Sequence, residues 1–381
     1  MMSKIFNLHQ FDVAIVGGGT MGLSAAYSLA QRGLKVAVLE QFDFYHALSS
    51  SRDYSRAFRI HYGDDLTLTQ FAVEALAAWK NFEKREGRQF YHPCGKLVLG
   101  DRDDPYLRDC KRVMDELEQP AELLSGQEIQ KRFPKLRADF GFLDVQGGVL
   151  DAQGYLDTLL ESLAANPNVE LIGRTRVQEV AESGVRLADG RWLGARQILV
   201  TAGPWVRNLV DVPVVTTKQQ LLYFRSEQSE AFQPEHFPIF SFIDSGYYGL
   251  PQFGLAAVKV ANHIPGVDFD ANQAERRVDP GFIERTRDFL RVRIPSLADA
   301  DILHSKVCVY TGTSDRHFVL EKISDRVLVA TGFSGHGFKF SPWMGARLAD
   351  MLTGEAAAES LDRFKLRRFR GPKLQQTVRT R

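Results

Sequence analysis

Four cationic side chains in this chain sit where their surroundings would give them chemistry. Lys259 interrupts the apolar run Leu255-Ala256-Ala257-Val258-Lys259-Val260. A lysine in such a run is costly to bury without partners, and burial lowers its pKa; the other reading is an edge-strand lysine facing water. Arg56-Ala57-Phe58-Arg59 places two guanidinium groups three residues apart. A guanidinium fork pairs a carboxylate through two parallel hydrogen bonds, although with Arg52 the same residues would also make a basic surface strip. Lys339 follows Gly332-Phe333-Ser334-Gly335-His336-Gly337-Phe338, a glycine-rich turn opening a helix, where a lysine is a solvated charge or a phosphate contact. Cys308 lies between Val307 and Val309 in a strand, the usual setting of a small buried hydrophobe. Tyr248 in Gly246-Tyr247-Tyr248-Gly249 reads as a sheet aromatic and His263 as a polar loop residue. No metal constellation, nucleophile elbow or paired-carboxylate site accompanies them.

The element that must position a ligand comes first in the chain. Asp12-Val13-Ala14-Ile15-Val16 reads as a strand and Gly17-Gly18-Gly19-Thr20-Met21-Gly22 as a turn opening an amphipathic helix. The second strand, Lys35-Val36-Ala37-Val38-Leu39, closes on Glu40. This is the G-x-G-x-x-G dinucleotide fingerprint in its strand–turn–helix setting. Gly17 permits the tight turn, Gly19 admits a pyrophosphate to the backbone, and Gly22 lets helix and strand pack closely. Thr20 and Met21 lie at the helix N-terminus, whose free N–H groups and positive dipole end face the phosphates. Glu40 stands where a carboxylate accepts hydrogen bonds from a ribose hydroxyl, which argues against a 2′-phosphate. The fingerprint alone leaves NAD and FAD both open.

At 381 residues and 44% hydrophobic, the chain can bury a large core and divides into about two domains. Its net charge of +1, from 48 basic and 47 acidic residues, offers no field for nucleic acid or an anionic membrane. No apolar run is long enough for a spanning helix, and no signal-peptide pattern precedes the first strand. Cys94, Cys110 and Cys308, without metal spacing, suit a reducing compartment, so a soluble cytoplasmic protein is expected. The basic stretch Arg363 to Arg370 reads as a solvated, fraying end.

Apolar periodicity predicts helices over 66–86, 105–118, 153–165, 280–292 and 343–352. Strands are expected over 91–99, 169–172, 197–200 and 326–330. The alternation from Val177 to Leu187 and the run to Val200 lead into Thr201-Ala202-Gly203-Pro204-Trp205, apolar strands ending in small residues as beside a bound cofactor. Residues 216–265, rich in aromatic and β-branched side chains, predict an antiparallel sheet. The order is nucleotide-binding start, insertion, nucleotide-binding middle, β-rich insertion and nucleotide-binding end. That layout suits a flavoprotein whose cofactor is held by both ends of the chain. The expected fold is α/β (α+β overall). A Rossmann-type FAD-binding domain built from 1–90, 145–215 and 305–381 would sit beside a β-sheet-rich substrate domain built from 91–144 and 216–304.

The last third carries a specific resemblance. Lys306-Val307-Cys308-Val309-Tyr310-Thr311, Asp315-Arg316-His317-Phe318 and Gly332-Phe333-Ser334-Gly335-His336-Gly337-Phe338-Lys339-Phe340 resemble the monomeric sarcosine oxidase and N-methyltryptophan oxidase family, within the D-amino-acid-oxidase-like flavoproteins. The resemblance extends over essentially the whole chain. It implies FAD bonded through its 8α-carbon to Cys308 as a thioether, with Val177, Gly203, Gly335 and Gly337 also against the cofactor. It implies that Arg59 and Lys339 hold a substrate carboxylate while Arg56 lies at the flavin face. Lys259 would reach flavin N5 through water and promote electron transfer to oxygen, and Tyr248 and His263 would line the substrate pocket. The implied reaction is oxidation of a secondary α-amino acid by hydride transfer from Cα to flavin N5, with oxygen reduced to hydrogen peroxide and the imine hydrolysed. A monomer without nucleic-acid or membrane partners is expected.

The sequence departs from that family over the substrate. Where sarcosine-oxidising relatives read Ser-His-His-Gly-Asp-Thr-Arg and Arg-His-Ala-Tyr-Gly, this chain has Ser50-Ser51-Arg52-Asp53-Tyr54-Ser55-Arg56 and Arg59-Ile60-His61-Tyr62-Gly63. N-methyl amino acids, cyclic imino acids and larger or glycated amines all stay open as substrates. Rival readings are a flavin-dependent dehydrogenase or biosynthetic imine-forming enzyme with another acceptor, and a flavin-bound subunit with a degenerate pocket.

Overall fold

Phe11–Val16 is apolar on both faces, the pattern of a strand inside a parallel sheet. It pairs in parallel with Val36–Leu39 on one side and with Trp192–Val200 on the other. Val169–Ile172 continues the sheet beyond Val36–Leu39, and Val327–Thr331 continues it beyond Trp192–Val200, again in parallel. Three separated stretches of chain therefore build the parallel core of one eight-stranded sheet, as the order of motifs predicts. The computed structural model describes residues 10–226, 230–355 and 359–369.

Helix Thr20–Gln31 covers this sheet and packs against the late helix Ser341–Thr353. The approach is close: a Cβ added at Gly345 would lie 2.4 Å from the Ser24 carbonyl oxygen. Thr20 Oγ1 and Ser341 Oγ hydrogen-bond at 2.8 Å across 321 residues of sequence. The two ends of the chain thus meet directly over the glycine turn.

A second sheet of eight strands runs in the order Ile302–Gly312, Val215–Arg225, Ala257–Asn262, Tyr247–Leu250, Ile239–Phe242, Lys96–Leu99, Phe140–Asp144, Ala121–Ser125. The strands between residues 215 and 262 are mutually antiparallel, as their composition predicts. Ser55–Phe58, Gly148–Asp151 and Tyr91–Pro93 form a small third sheet. The single strand expected over 91–99 is two strands broken at Cys94 and Gly95, and each half joins a different sheet. The boundary expected at residue 305 falls inside Ile302–Gly312, which pairs with Val215–Phe224 along its length.

Two readings of charge are corrected. Ala257–Asn262 is flanked by strands on both sides and Lys259 is buried, so it is no edge-strand lysine. The basic C-terminal stretch is docked rather than frayed: Arg363 holds both carboxylate oxygens of Asp65 at 2.8 and 2.6 Å, and Arg368 Nε donates to Asp315 at 2.6 Å. Between them Phe364 is fully buried and packs on Phe318. Arg370, with residues 1–9 and 371–381 of the expected cofactor-binding segments, lies outside the described residues.

The close approach of the two helices has a measurable consequence. Gly345→Ala gains about 1 kcal/mol of helix propensity, yet its new methyl group meets backbone that cannot move aside. Urea unfolding should show a net loss of about 2 kcal/mol, and an unchanged midpoint would contradict the close packing.

Candidate active site

The glycine turn is shaped to receive an anion. Gly17 has φ +113°, and a Cβ there would lie 2.5 Å from Thr201 O; one at Gly22 would lie 2.0 Å from Gly17 O. The helix begins at Thr20, whose N–H donates to Ser51 Oγ at 3.0 Å, and it has no acidic residue in its first turn. Its dipole end therefore meets no competing negative group of its own. Glu40, buried at the end of Val36–Leu39, accepts from Gly18 N through Oε2 and from Phe42 N through Oε1, both at 3.0 Å. Burial raises its pKa against those hydrogen bonds. Glu40 thus braces the turn.

A cavity of about 720 Å³ opens from this turn and runs between the two large sheets. Its wall includes Gly17, Gly19, Thr20, Met21, Glu40, Arg56, Val177, Gly203, Cys308, Gly335 and Gly337, together with Arg59, Tyr248, Lys259, His263 and Lys339. Of the cofactor and substrate residues expected from sequence only Gly22 is absent from the wall, because it lies behind it in the helix. His46 Nδ1, His317 Nδ1 and Thr331 Oγ1 are buried on the same wall with no protein partner among the described residues. A helix N-terminus free of acidic residues, a buried acid at the end of the second strand and unpartnered polar atoms along a long cavity fit a dinucleotide.

Cys308 is 7% exposed, and its thiol points to Ser50 O at 3.8 Å. Cys94 and Cys110 lie off the cavity, and burial pushes both thiols up to about 12. They are structural, as their lack of any motif implies.

Deeper in the cavity is a buried ion network that the sequence did not disclose. Asp53 Oδ2 accepts from Lys259 Nζ at 2.6 Å and from Arg56, and Oδ1 accepts from the Tyr223 hydroxyl. Lys259 also donates to Ser55 O at 3.1 Å. Burial alone would favour the neutral acid, but Lys259 and Arg56 outweigh it and hold the Asp53 carboxyl far below the usual range. Burial draws Lys259 down to about 8, with Asp53 opposing the shift and Arg56 adding to it. Asp53 lies 206 residues from Lys259. Its only sequence signal was being the one acid in the loop from Ser49 to Arg56.

The far end of the cavity is cationic. Arg59 and Lys339 both lie against the ring of Tyr62, with Arg59 Cζ 4.1 Å and Lys339 Nζ 4.9 Å from its centroid. Arg59 donates to His61 O, and Lys339 Nζ to His336 O at 3.1 Å. Burial, with Arg59 and Lys96 nearby, holds Lys339 well below the usual lysine pKa. Arg56 and Arg59 line the cavity, so only the exposed Arg52 fits the surface strip, stacked over Tyr45. His263 Nδ1 lies 2.8 Å from Gly246 O, and burial beside Tyr310 raises the pKa of Tyr248. Among the described residues there is no metal-holding cluster and no helix long and apolar enough to cross a membrane.

A buried ion pair that loses one partner leaves an uncompensated charge, at a cost of about 3–5 kcal/mol. Asp53→Asn should therefore destabilise the protein by about 3 kcal/mol. The double variant Asp53→Asn/Lys259→Met should recover much of that loss in a denaturation cycle. Strictly additive losses would show that the two side chains are not coupled.

Comparison with known proteins gives a consistent picture. The family model described as FAD dependent oxidoreductase (DAO) matches residues 12–351. The chain is 30% identical to a monomeric sarcosine oxidase of Bacillus sp. (strain B-0618), over 91% of this chain and 93% of that protein. It is 25% identical to the N-methyl-L-tryptophan oxidase of Yersinia pestis (strain Pestoides F), over 94% of this chain and 100% of the relative. Among solved structures, the L-proline dehydrogenase of P. horikoshii superposes with a TM-score of 0.84 at 18% identity, covering 95% of this chain and 98% of that one.

Proposed function

The chain belongs to the DAO family of FAD-dependent oxidoreductases, and from that membership we propose that it oxidises the C–N bond of a secondary α-amino acid with oxygen as acceptor. The observation that carries this reading is the single cavity wall on which Arg59 and Lys339 flank Tyr62 while Lys259 and Cys308 lie along the same space. The glycine turn and Glu40 would hold the adenosine half of FAD, and Cys308 Sγ would bond its 8α-carbon. Bound FAD supplies the hydride acceptor and afterwards the electrons for oxygen.

The protein's own residues do the remaining work. Arg59 and Lys339 pair the substrate carboxylate and so fix the α-carbon against the reactive ring. The amine must be neutral before hydride leaves Cα, because its lone pair forms the C=N bond; Tyr248 and His263 line that position, and His263 tunes the amine's binding and protonation. Water then adds to the released imine and splits it. Lys259 presents a positive charge where negative charge develops on oxygen, an arrangement set in place before the reaction.

A second reading, a dehydrogenase with another acceptor, is favoured by one contact. Asp53 at 2.6 Å from Lys259 offsets the charge that oxygen would use. Stoichiometric hydrogen peroxide on substrate addition supports the oxidase, and its absence during turnover supports the dehydrogenase. An anaerobic flavin-bleaching screen over N-methyl amino acids, cyclic imino acids and glycated amines identifies the substrate.

Three outcomes follow for the purified protein. Acid precipitation should leave a yellow pellet; a colourless one would remove the Cys308 linkage. Lys259→Met should slow reoxidation by about 100-fold and flavin reduction far less, so equal losses in both half-reactions would count against its oxygen role. The groups facing Lys259 are Asp53, Arg56, Tyr223 and Lys306. Its pKa of about 8 lies below the ordinary lysine value, so the cation is present below that pH and lost above it. Stopped-flow reoxidation should accordingly decline as pH rises through about 8.

A further inference from the structure

The cationic end of the cavity holds one more positive group than a single carboxylate uses. Lys96 begins the buried strand Lys96–Leu99, is 4% exposed, and reaches the cavity wall. It is the same sequence signature as Lys259, a lone lysine in an apolar run, but without a counter-ion. Its cross-strand neighbour is Asp144, whose carboxylate is already engaged. Oδ2 accepts from Ile60 N at 2.6 Å and from His61 Nδ1 at 3.0 Å, and Oδ1 accepts from Gln146 N at 3.1 Å. Asp65, on the same wall, is held by Arg363 and caps the helix Leu66–Glu86. Among the described residues Lys96 Nζ makes no hydrogen bond and no ion pair.

Lys96 therefore sits near Arg59 and Lys339 with no protein anion of its own. Burial holds its pKa well below the usual lysine value, and Arg59 lowers it further against the pull of Asp144. A buried cation without an acceptor is an unfavourable arrangement that a ligand anion can relieve. Arg59 and Lys339, facing one tyrosine ring, already account for one carboxylate.

We infer that the preferred substrates are secondary amines carrying two carboxylates, one held by Arg59 and Lys339 and the second by Lys96. The first half of this statement rests on the function proposed above, and the second is new to it. Lys96 is then a specificity-determining residue: a mononegative amino acid leaves it unpaired, whereas a dicarboxylic one satisfies it.

The test uses the FAD-loaded protein and two thioethers without a C–N bond, read by perturbation of the flavin absorption spectrum. Thiodiglycolate has two carboxylates and (methylthio)acetate has one. The wild type should bind thiodiglycolate at least tenfold more tightly. Lys96→Met should bring the two to near parity while leaving (methylthio)acetate within about twofold, and Lys96→Arg should keep most of the preference. Equal wild-type affinities, or a Lys96→Met loss shared by both probes, would overturn the second-carboxylate site. In that case binding of (methylthio)acetate that weakens in Arg59→Met leaves the proposed function standing. If neither probe binds the wild type, both readings fall together.

Discussion

A buried carboxylate, Asp53, joins the halves of this molecule. It enters on the loop that follows the fingerprint strands and meets Lys259 from the middle of the eight-stranded sheet, Tyr223 from the neighbouring strand and Arg56 from the small sheet. None of these charged groups could be buried alone at tolerable cost; together they satisfy one another. The network pins the whole loop. Ser51 Oγ accepts from Thr20 N at 3.0 Å, Ser50 Oγ donates to Val309 O at 2.7 Å, and Arg56 donates to Ser50 O at 2.8 Å. One short segment thereby touches the helix over the glycine turn, the Cys308 strand and the Lys259 strand. The cavity between the sheets has a fixed wall because that loop has nowhere else to go.

Charge is sorted along the cavity. At the turn, the helix dipole supplies the positive end and Glu40 a negative one, which suits phosphates and ribose hydroxyls. The middle holds a balanced pair in Asp53 and Lys259, with Arg56 beside them. Beyond Tyr62 the balance fails, since Arg59, Lys339 and Lys96 face a space whose nearest buried carboxylate, Asp144, is committed to His61 and backbone amides. Burial holds His61 down to about 4, so its neutral ring donates to Asp144 and adds no further charge. A dianionic diphosphate at one end and a separate carboxylate-bearing molecule at the other are what such a gradient would order.

Local patterns were legible in the sequence and distant pairings were not. The glycine fingerprint and its flanking strands could be read because every part lies within a few dozen residues and one backbone geometry requires them all. The parallel sheet built from separated segments was legible from the order of apolar strands ending in small residues. The break between Tyr91–Pro93 and Lys96–Leu99 was not, because both halves are extended and only their assignment to different sheets separates them. Nor was the docking of the C-terminal stretch, whose arginines look solvated until Asp65 and Asp315 are placed beside them. Asp53 was hidden for the same reason: a lone acid in a basic loop has no periodicity, and its partner is far along the chain.

Lys96 and Lys259 show where sequence and structure part company. Each is a single lysine in a strand of the same sheet, though only Lys259 drew an expectation from sequence. The structure separates them by one contact, the carboxylate that Lys259 has and Lys96 lacks. A buried cation with a permanent partner keeps its position whatever the ligand, so its role is to act on charge that develops during reaction. A buried cation without one has its energy set by what enters the cavity, so its role is to choose the ligand. On the roles proposed for them, two residues of one type would divide catalysis and selection between them, and the division would be made by Asp53.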